Sequence, residues 1–193
     1  MKVAIVKYNA GNIQSVSYAL NRLGITPIIT DDVNELQTAD KVIFPGVGEA
    51  RAAMDYLNAK GLVPVLKSLK QPFLGICLGM QLMCNHSEER DAECLGIFDV
   101  QVKKFPALEK VPHMGWNTIH SLQSKLLTDL PENAYMYFVH SYYAEICPDT
   151  ICSCNYILDF SAGLQKDNFF AFQFHPEKSG TDGEQILKNF INI

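Results

Sequence analysis

Length, composition and charge leave few classes of protein open. The chain has 193 residues, 48% of them hydrophobic, and no Ser- or Gly-rich linker interrupts it. We therefore expect one well-buried domain that covers residues 1–193. A formal charge of −5 gives no basic footprint for nucleic acid or for an anionic membrane surface. Neither is an expected partner.

The first residues and the cysteines indicate a compartment. Lys2 is followed directly by the strand-like run Val3–Val6, without a cleavable signal region, and no apolar stretch approaches the roughly 20 residues of a membrane helix. Six cysteines in a chain of this size indicate a reducing compartment more than a disulfide framework. Cys152-x-Cys154 lacks the spacing of a structural zinc site. We expect a cytoplasmic protein without a metal.

The first half of the chain alternates strands and helices. Val3–Val6 is a continuous apolar run, typical of a strand covered on both faces. Apolar residues then recur at helical spacing from Ile13 to Leu23, with Asn12 as a cap and Gly24 as a terminator. This order predicts a parallel sheet. The further elements expected here are strands at Pro27–Thr30 and Lys41–Phe44, helices at Ala50–Leu57 and Leu62–Leu69, and a strand that ends near Ile76.

Beyond Leu95 the pattern changes to strands with short connections, which we expect to extend or flank the sheet. The chain closes with a helix from about Gly183, where Asp182 and Gln185 resemble a capping box. The predicted strands of this half are Ile97–Val102, Tyr135–Val139, Ile151–Leu158 and Phe169–Phe174.

A nucleophile elbow is predicted where one strand meets a helix. In the segment Pro72–Gln81, a buried strand ends in Gly75-Ile-Cys77-Leu-Gly79. A nucleophile on such a turn has a strained backbone, and glycines two residues to either side let strand and helix pass without collision. The helix that begins at Leu78 directs its free N–H groups and positive dipole end at the sulfur, which favours the thiolate. We expect Cys77 to stand exposed above the sheet as an activated nucleophile.

A second motif, Phe172-Gln-Phe-His-Pro-Glu177, supplies a histidine and a carboxylate two residues apart. Residues two apart on an extended chain face the same way, and Pro176 stiffens the link. His175 is then the general acid and base beside Cys77, and Glu177 orients its ring. Each motif alone also fits a packed strand end, but their conjunction in one small α/β chain favours a catalytic triad.

Together the two motifs resemble the class I, or triad, glutamine amidotransferases, which strip ammonia from glutamine. The resemblance runs from Val3 to the C-terminal helix and implies a flavodoxin-like α/β fold, with a mainly parallel central sheet flanked by helices. Within the family, the chain is most similar to the glutaminase subunits of imidazole glycerol phosphate synthase, an enzyme of histidine biosynthesis. The segments that carry this closer resemblance are Pro45–Gly48, Pro112–Asn117, Phe138–Tyr142 and His175–Ser179.

Attack on the glutamine amide needs backbone N–H groups that hold an oxyanion. One is expected from Leu78, directly after the nucleophile. Pro45–Gly48 alone fits an ordinary glycine turn, but the resemblance implies that the N–H of Val47 is the second donor. It also implies that this peptide rotates into place only when a partner signals.

The resemblance further implies a glutamine pocket. Gln81 lies four residues after Cys77, one turn along the same helical face. Glu89 is a candidate for the ammonium group of glutamine, and an exposed helix-end carboxylate is the alternative. The pocket residues that the resemblance implies are Gly46, Gly48, Gln81, Glu89, Ser141 and Tyr142.

A partner is implied as well, namely a (β/α)₈-barrel cyclase in a heterodimer. The cyclase joins the ammonia to a ribulosyl phosphate intermediate and releases imidazole glycerol phosphate and aminoimidazole carboxamide ribotide. Hydrolysis of the L-glutamine amide itself needs no metal or organic cofactor. The residues implied at the partner interface are Asn12, Gln14, Met114, Trp116 and Lys178.

Two alternatives stay open at this point. In the first, the chain is the glutaminase of another synthase, such as the pyridoxal phosphate or anthranilate systems. In the second, it is a regulatory subunit whose triad is no longer catalytic. The intact residues Cys77, His175 and Glu177 argue against the regulatory subunit. Activation by the ligand of a barrel cyclase separates the synthases.

Overall fold

The computed structural model describes residues 1–9 and 11–193. Strands and helices alternate through its first part, as predicted. These elements are β1 Val3–Val6, α1 Ile13–Arg22, β2 Ile28–Thr30, α2 Val33–Thr38, β3 Lys41–Phe44, α3 Ala50–Ala59, α4 Leu62–Ser68, β4 Phe73–Ile76 and α5 Leu78–Met83.

Short strands dominate the second part, and two 3₁₀ turns, Lys125–Leu127 and Pro176–Lys178, interrupt them. The elements are β5 His86–Ser87, β6 Ala92–Glu93, β7 Gln101–Lys104, β8 His113–Thr118, β9 Tyr135–His140, β10 Tyr142–Ala144, β11 Thr150–Tyr156, β12 Leu158–Lys166, β13 Phe169–Phe172 and α6 Gly180–Asn192.

The main sheet contains eleven of the strands in the described residues, in the order β2-β1-β3-β4-β13-β12-β10-β7-β5-β6, and β11 pairs with β12. Neighbours from β2 to β13 are parallel, in the strand order of a flavodoxin-like sheet. From β13 to β7 the pairing is antiparallel. Strands β8 and β9 form a separate antiparallel pair. The predicted α/β fold with a mainly parallel central sheet is confirmed.

Both faces of the sheet are covered. Successive side chains of a strand point to opposite faces, so Ala4 and Val6 of β1 pack in one apolar cluster while Val3 and Ile5 pack in the other. Helices α3 and α4 cover the first cluster, and α1 and α6 cover the second. Full burial of each large apolar side chain stabilises the fold by about 1.5–3 kcal/mol. This packing explains the continuous apolar runs of the parallel strands.

The predicted start of the last helix is wrong. Helix α6 begins at Gly180, with Ser179 at its N-cap position, so Asp182 and Gln185 lie inside the helix and form no capping box. The chain enters the helix straight from the 3₁₀ turn. Gly183 packs so closely on this turn that an added Cβ would lie 2.1 Å from the carbonyl oxygen of Pro176.

Two other element predictions need correction, and one helix was missed. Residues 97–100 are not a strand, because the N–H groups of Ile97 and Phe98 bond to the carbonyl of Met83 and wrap the end of α5. Ile151–Leu158 spans two strands, since the chain turns at Ile157 with φ 64°. Helix α2 was not predicted. It is short, and only Leu36 in it is buried.

No helix in the described residues is long and apolar enough to span a membrane.

Candidate active site

The segments that carry the predicted site follow three adjacent parallel strands. Cys77 follows β4, Pro45–Gly48 follows β3, and His175 lies three residues after β13. Because the carboxyl ends of parallel strands meet at one edge of a sheet, the topology brings these segments together.

The turn at Cys77 has the geometry of a nucleophile elbow. Its backbone is strained, with φ 54° and ψ −109°, a conformation that persists only where the surrounding structure enforces it. A Cβ on Gly79 would lie 1.8 Å from the carbonyl oxygen of Phe44, and one on Gly75 would lie 2.5 Å from the sulfur of Met83. The Gly-x-Cys-x-Gly spacing is therefore a steric requirement of this strand-to-helix turn.

The sequence predicted that Cys77 stands exposed above the sheet, but only 6% of the residue is exposed. Its sulfur lies 3.9 Å from the carbonyl oxygen of Val139 and 3.7 Å from Nε2 of Gln173. Gln173 is fully buried and was not predicted. Its signal in the sequence is a polar residue inside the apolar run Phe169–Phe174.

His175 and Glu177 form a buried pair. His175 Nδ1 lies 2.8 Å from Glu177 Oε1, and both side chains are 0% exposed. A carboxylate only accepts hydrogen bonds, so Nδ1 carries the proton and Nε2 is left free. In the described residues, Nε2 has no hydrogen-bond partner. The sequence predicted an extended chain here, but Pro176–Lys178 is a 3₁₀ turn.

Three effects act on the charge of His175. Burial opposes the imidazolium, but the neighbouring Cys77 sulfur and the Glu177 carboxylate outweigh burial and raise the pKa of His175. Opposite charges nearby favour the charged form of a group. The pocket thus favours a ring that holds a proton beside the sulfur.

Asn12 joins this pair, although the sequence predicted a helix cap and a partner contact. It occupies the N-cap position of α1 with φ 71° and makes no capping hydrogen bond. Its Nδ2 donates to Oε1 of Glu177 and lies 3.3 Å from Nδ1 of His175. The predicted position of Asn12 at the start of α1 is therefore correct, but the predicted capping by its side chain is wrong. A role for Asn12 at the partner interface stays a prediction.

The two predicted oxyanion donors do not both face the site. The N–H of Leu78 donates to the carbonyl of Gly46 at 3.3 Å. Across a planar trans peptide, the C=O and the following N–H point in opposite directions. The N–H of Val47 therefore points away from Leu78, and the Gly46 carbonyl takes the place of an oxyanion.

Tyr8 holds the start of the same segment. Its hydroxyl donates to the carbonyl of Pro45 at 2.5 Å, and burial raises the pKa of Tyr8 well above its usual value. A Cβ on Gly46 would lie 2.0 Å from this hydroxyl and 3.1 Å from Cβ of Leu78. The second residue of Pro45–Gly48 thus has to be glycine for steric reasons.

A pocket of about 290 Å³ opens beside Cys77, at the small end of the range for small-molecule sites. Of the residues that the resemblance implied for the glutamine pocket and the oxyanion hole, only Gly46 does not line it. The lining residues are Val47, Gly48, Cys77, Leu78, Gln81, Glu89, Pro112, Val139, His140, Ser141 and Tyr142.

Two side chains of the pocket are held by the protein itself. Gln81 Nε2 donates to the carbonyl of Tyr142 at 3.0 Å and to Oε1 of Gln173 at 2.9 Å. Glu89 is half-buried in a turn, not at a helix end, and its Oε2 accepts from the N–H of Ala50 at 2.8 Å. Burial raises the pKa of Glu89, and the Ala50 N–H opposes this.

The remaining predicted interface residues lie at the surface. Met114 and Trp116 are 62% and 55% exposed, and they share one face of β8 because they are two residues apart. Gln14 and Lys178 are exposed as well. Among the described residues, no group of three or more His, Cys, Asp or Glu side chains is placed to hold a metal ion.

Comparison with known proteins identifies the family. The model of the class-I glutamine amidotransferases matches residues 4–193. The chain belongs to this family. It is 59% identical to imidazole glycerol phosphate synthase subunit HisH of Bacteroides thetaiotaomicron and 47% identical to that of Pectobacterium atrosepticum, over the full length of both chains in each pair. The resemblance found in the sequence is therefore confirmed.

A solved structure supports the fold independently. The chain is similar to a putative GMP synthase subunit from Thermoplasma acidophilum, with a TM-score of 0.77 at 22% identity. The similarity covers 100% of this chain and 93% of that one. At this identity the likeness concerns the fold alone.

Proposed function

We propose that the protein is the glutaminase subunit of imidazole glycerol phosphate synthase, which hydrolyses L-glutamine to L-glutamate and ammonia. The observation that carries the proposal is the triad geometry. A strained Cys77 lies beside His175, whose other ring nitrogen bonds to Glu177. The relatives at 59% and 47% identity favour this synthase over the pyridoxal phosphate and anthranilate systems.

The chemistry follows from the roles of the three side chains. The sulfur of Cys77 attacks the amide carbon of glutamine, and His175 delivers a proton from Nε2 to the departing nitrogen, which leaves as ammonia. Water, deprotonated by His175, then attacks the γ-glutamyl thioester. This step releases glutamate and returns the proton to the Cys77–His175 pair. Glu177 holds the ring in the tautomer that these transfers need.

The pocket offers partners for the amino-acid end of glutamine. Both amide hydrogens of Gln81 bond within the protein, so its Oε1 remains to accept a hydrogen bond from the ammonium group. Oε2 of Glu89 is held by Ala50, and the negative charge of this side chain supports the same group. We propose that Ser141 and Tyr142 contact the carboxylate and that Gly48 lines the binding site.

An incomplete oxyanion hole supports control by a partner. Rotation of the Gly46–Val47 peptide would free the Leu78 N–H and turn the Val47 N–H inward. We propose that a (β/α)₈-barrel cyclase in a heterodimer induces this rotation, with Met114, Trp116, Gln14 and Lys178 at the interface. Such a partner fits a family whose glutaminases deliver ammonia to a synthase.

Domain organisation and location complete the proposal. The two apolar clusters pack against opposite faces of one sheet, which supports a single domain over residues 1–193. In the described residues all six cysteines are free, which suits the reducing cytoplasm.

A glutaminase assay with and without the barrel cyclase and its ribulosyl ligand tests the function. We expect slow glutamine turnover by the protein alone and strong acceleration in the liganded complex. Cys77→Ser should abolish hydrolysis, because a hydroxyl is far less ionised than a thiol at neutral pH. The same variant should still form the complex and support synthesis from added ammonia. Glutaminase activity that survives in Cys77→Ser would exclude Cys77 as the nucleophile.

A further inference from the structure

A buried histidine pair lies between strand β8 and the glutamine pocket. His113 and His140 are direct cross-strand neighbours in the β8–β9 sheet, and only 4% and 6% of them are exposed. Nδ1 of His113 lies 3.0 Å from Nε2 of His140, and Nδ1 of His140 lies 2.7 Å from the carbonyl oxygen of Tyr142.

The hydrogen-bond partners of the two rings determine which ring nitrogens carry hydrogen. The Tyr142 carbonyl can only accept, so Nδ1 of His140 carries hydrogen. Neutral His140 then accepts at Nε2, which makes Nδ1 of His113 the donor. Nε2 of His113 in turn accepts from Nδ2 of Asn117 at 3.3 Å.

Backbone groups fix Asn117, the last side chain in this series of hydrogen bonds. Nδ2 of Asn117 also donates to the carbonyl of Asn155 at 3.0 Å, and its Oδ1 accepts from the N–H of Thr118 at 2.8 Å. These two partners fix the orientation of the amide. A second proton on either histidine would place two donors face to face. If every hydrogen bond in the series ran in the opposite direction, Asn117 would lose its bonds to the backbone.

The surroundings keep both rings neutral. His113 stacks between Phe138 and Tyr156, with ring centroids 4.9 and 4.1 Å away. His140 packs against Phe105 and Phe160. Burial lowers the pKa of His113 to about 4 and that of His140 to about 3.

Few titratable groups face the pair. They are the Tyr156 ring from β11, and His175, whose positive charge further disfavours a proton on His140. In the described part of the chain, neither ring hydrogen-bonds an acidic side chain.

The acceptor at the near end belongs to the pocket. The Tyr142 carbonyl receives hydrogen bonds from His140 and from the amide of Gln81. Ser141 is the single residue between β9 and β10, and the hydrogen bond from His140 to Tyr142 spans it. Both Ser141 and Tyr142 line the pocket.

We propose that the neutral His113–His140 pair is a positioning device for glutamine, which fixes the Ser141–Tyr142 turn and the Gln81 amide relative to β8. It transfers no proton in the reaction. This inference rests on the proposed function, because it assigns the pair to the binding of glutamine at that site.

Nuclear magnetic resonance of imidazole nitrogens tests the state of the pair without any assay. In the wild-type protein, both rings should be neutral with hydrogen on Nδ1, and neither should titrate between about pH 8 and about pH 5, unlike an ordinary histidine. Hydrogen on Nε2 in either ring, or a titration in this interval, would overturn the proposal.

Glutamine kinetics in the liganded complex test the consequence. His140→Leu should raise KM about tenfold and lower kcat less than about threefold, because it loosens binding without touching the reacting atoms. His140→Asn keeps an N–H near the position of Nδ1 and should recover most of this loss. His113→Leu should raise KM by about threefold, since the bond to Tyr142 remains.

The control is His120→Asn, a half-buried histidine that bonds to Thr118 and Asn133, and it should leave KM unchanged. A folded His140→Leu variant with wild-type KM would overturn the proposal, and so would equal damage by His140→Leu and His140→Asn. If the wild-type complex hydrolyses no glutamine, the proposed function fails instead, and the nitrogen spectra alone decide the state of the pair.

Discussion

Asn12 is the residue whose hydrogen bonds the sequence predicted least well. The motifs around Cys77 and His175 are local, so spacing alone indicated the nucleophile, the base and Glu177. Asn12 reaches Glu177 across 165 positions of the sequence, through a left-handed backbone at the start of α1. Asparagine adopts this conformation more readily than most other residues with a side chain.

Asn12→Ala should therefore lower the kcat of glutamine hydrolysis about tenfold with little change in KM, because Glu177 loses a donor that orients it. Asn12→Asp should be worse, since a second carboxylate would face the first. The exposed Asn21→Ala on the same helix is the matched control. If Asn12→Ala keeps full turnover and only weakens the complex, Asn12 is a partner contact, as the sequence predicted.

At the scale of elements, the segment Pro45–Gly48 combines a fixed start with a peptide that has to rotate. Tyr8 anchors the carbonyl of Pro45, while the Gly46 carbonyl accepts a hydrogen bond from the N–H of Leu78 at 3.3 Å. Gly48 has φ 137°, which other residues rarely adopt. The sequence indicated the glycines, but not Tyr8, which packs against Gly46, because that contact joins the ends of two different strands.

Gly46→Ala should abolish most of the partner-stimulated glutaminase rate, because the new methyl group would collide with the Tyr8 hydroxyl. Gly46→Ala combined with Tyr8→Phe removes the oxygen and should regain thermal stability, but not the full rate. Gly24→Ala, just beyond the end of α1 with open space around it, is the control for a loss of stability outside the site. A stimulated rate in Gly46→Ala equal to that of Gly24→Ala would contradict the proposed rotation.

The β8–β9 sheet should make folding sensitive to acid. A histidine in the unfolded chain has a pKa of about 6.5, whereas that of His113 is lowered to about 4 by burial. Below about pH 6.5 the unfolded chain gains protons that the folded chain cannot, so the free energy of unfolding decreases as the pH falls. Above that pH this contribution to stability is fully present.

Denaturant titrations at about pH 7 and about pH 5 measure the effect. His113→Asn keeps a donor for His140 but cannot titrate, so its loss of stability between the two values should be smaller by on the order of 1 kcal/mol. Equal losses in both proteins would show that the lowered pKa of His113 does not contribute to the acid sensitivity.

Elements with strong apolar patterns were predicted well, and those set by tertiary contacts were not. Four of the parallel strands, β1, β3, β4 and β13, are buried on both faces, so their composition alone identified them. Helix α2 carries one buried residue, Leu36, too few for a helical period. The start of α6 depends on close packing of Gly183 against Pro176. The spacing of Asp182 and Gln185, which the sequence analysis used, did not indicate that contact.

At the scale of the whole molecule, Tyr137 joins the exposed face of β8 to the site, because its ring packs against Trp116 and its carbonyl accepts from the N–H of His175 at 2.9 Å. Free ammonia protonates in bulk water and is lost to a synthase, so a glutaminase should hydrolyse glutamine only when its partner can use the product. An oxyanion hole whose donor is blocked by Gly46 fits this requirement. The surface that senses the partner should then influence the rate without touching glutamine.

Trp116 is the strongest candidate for this surface. It is 55% exposed and packs edge-on against Tyr137 of β9, with ring centroids 6.0 Å apart. Tryptophan is enriched among binding hot spots, and truncation of a hot-spot residue costs about 2 kcal/mol or more. Trp116→Ala should therefore raise the Kd for the barrel cyclase at least about thirtyfold.

The basal glutaminase rate of the isolated Trp116→Ala variant should stay close to the wild-type value, because the side chain does not line the pocket. Ile29→Ala, an exposed apolar residue on β2 at the far edge of the sheet, is the matched control and should change neither quantity. Titration calorimetry and a glutaminase assay at saturating cyclase separate affinity from signal. If Trp116→Ala binds and responds like the control, the partner does not dock on this face of β8, although the triad assignment would be unaffected.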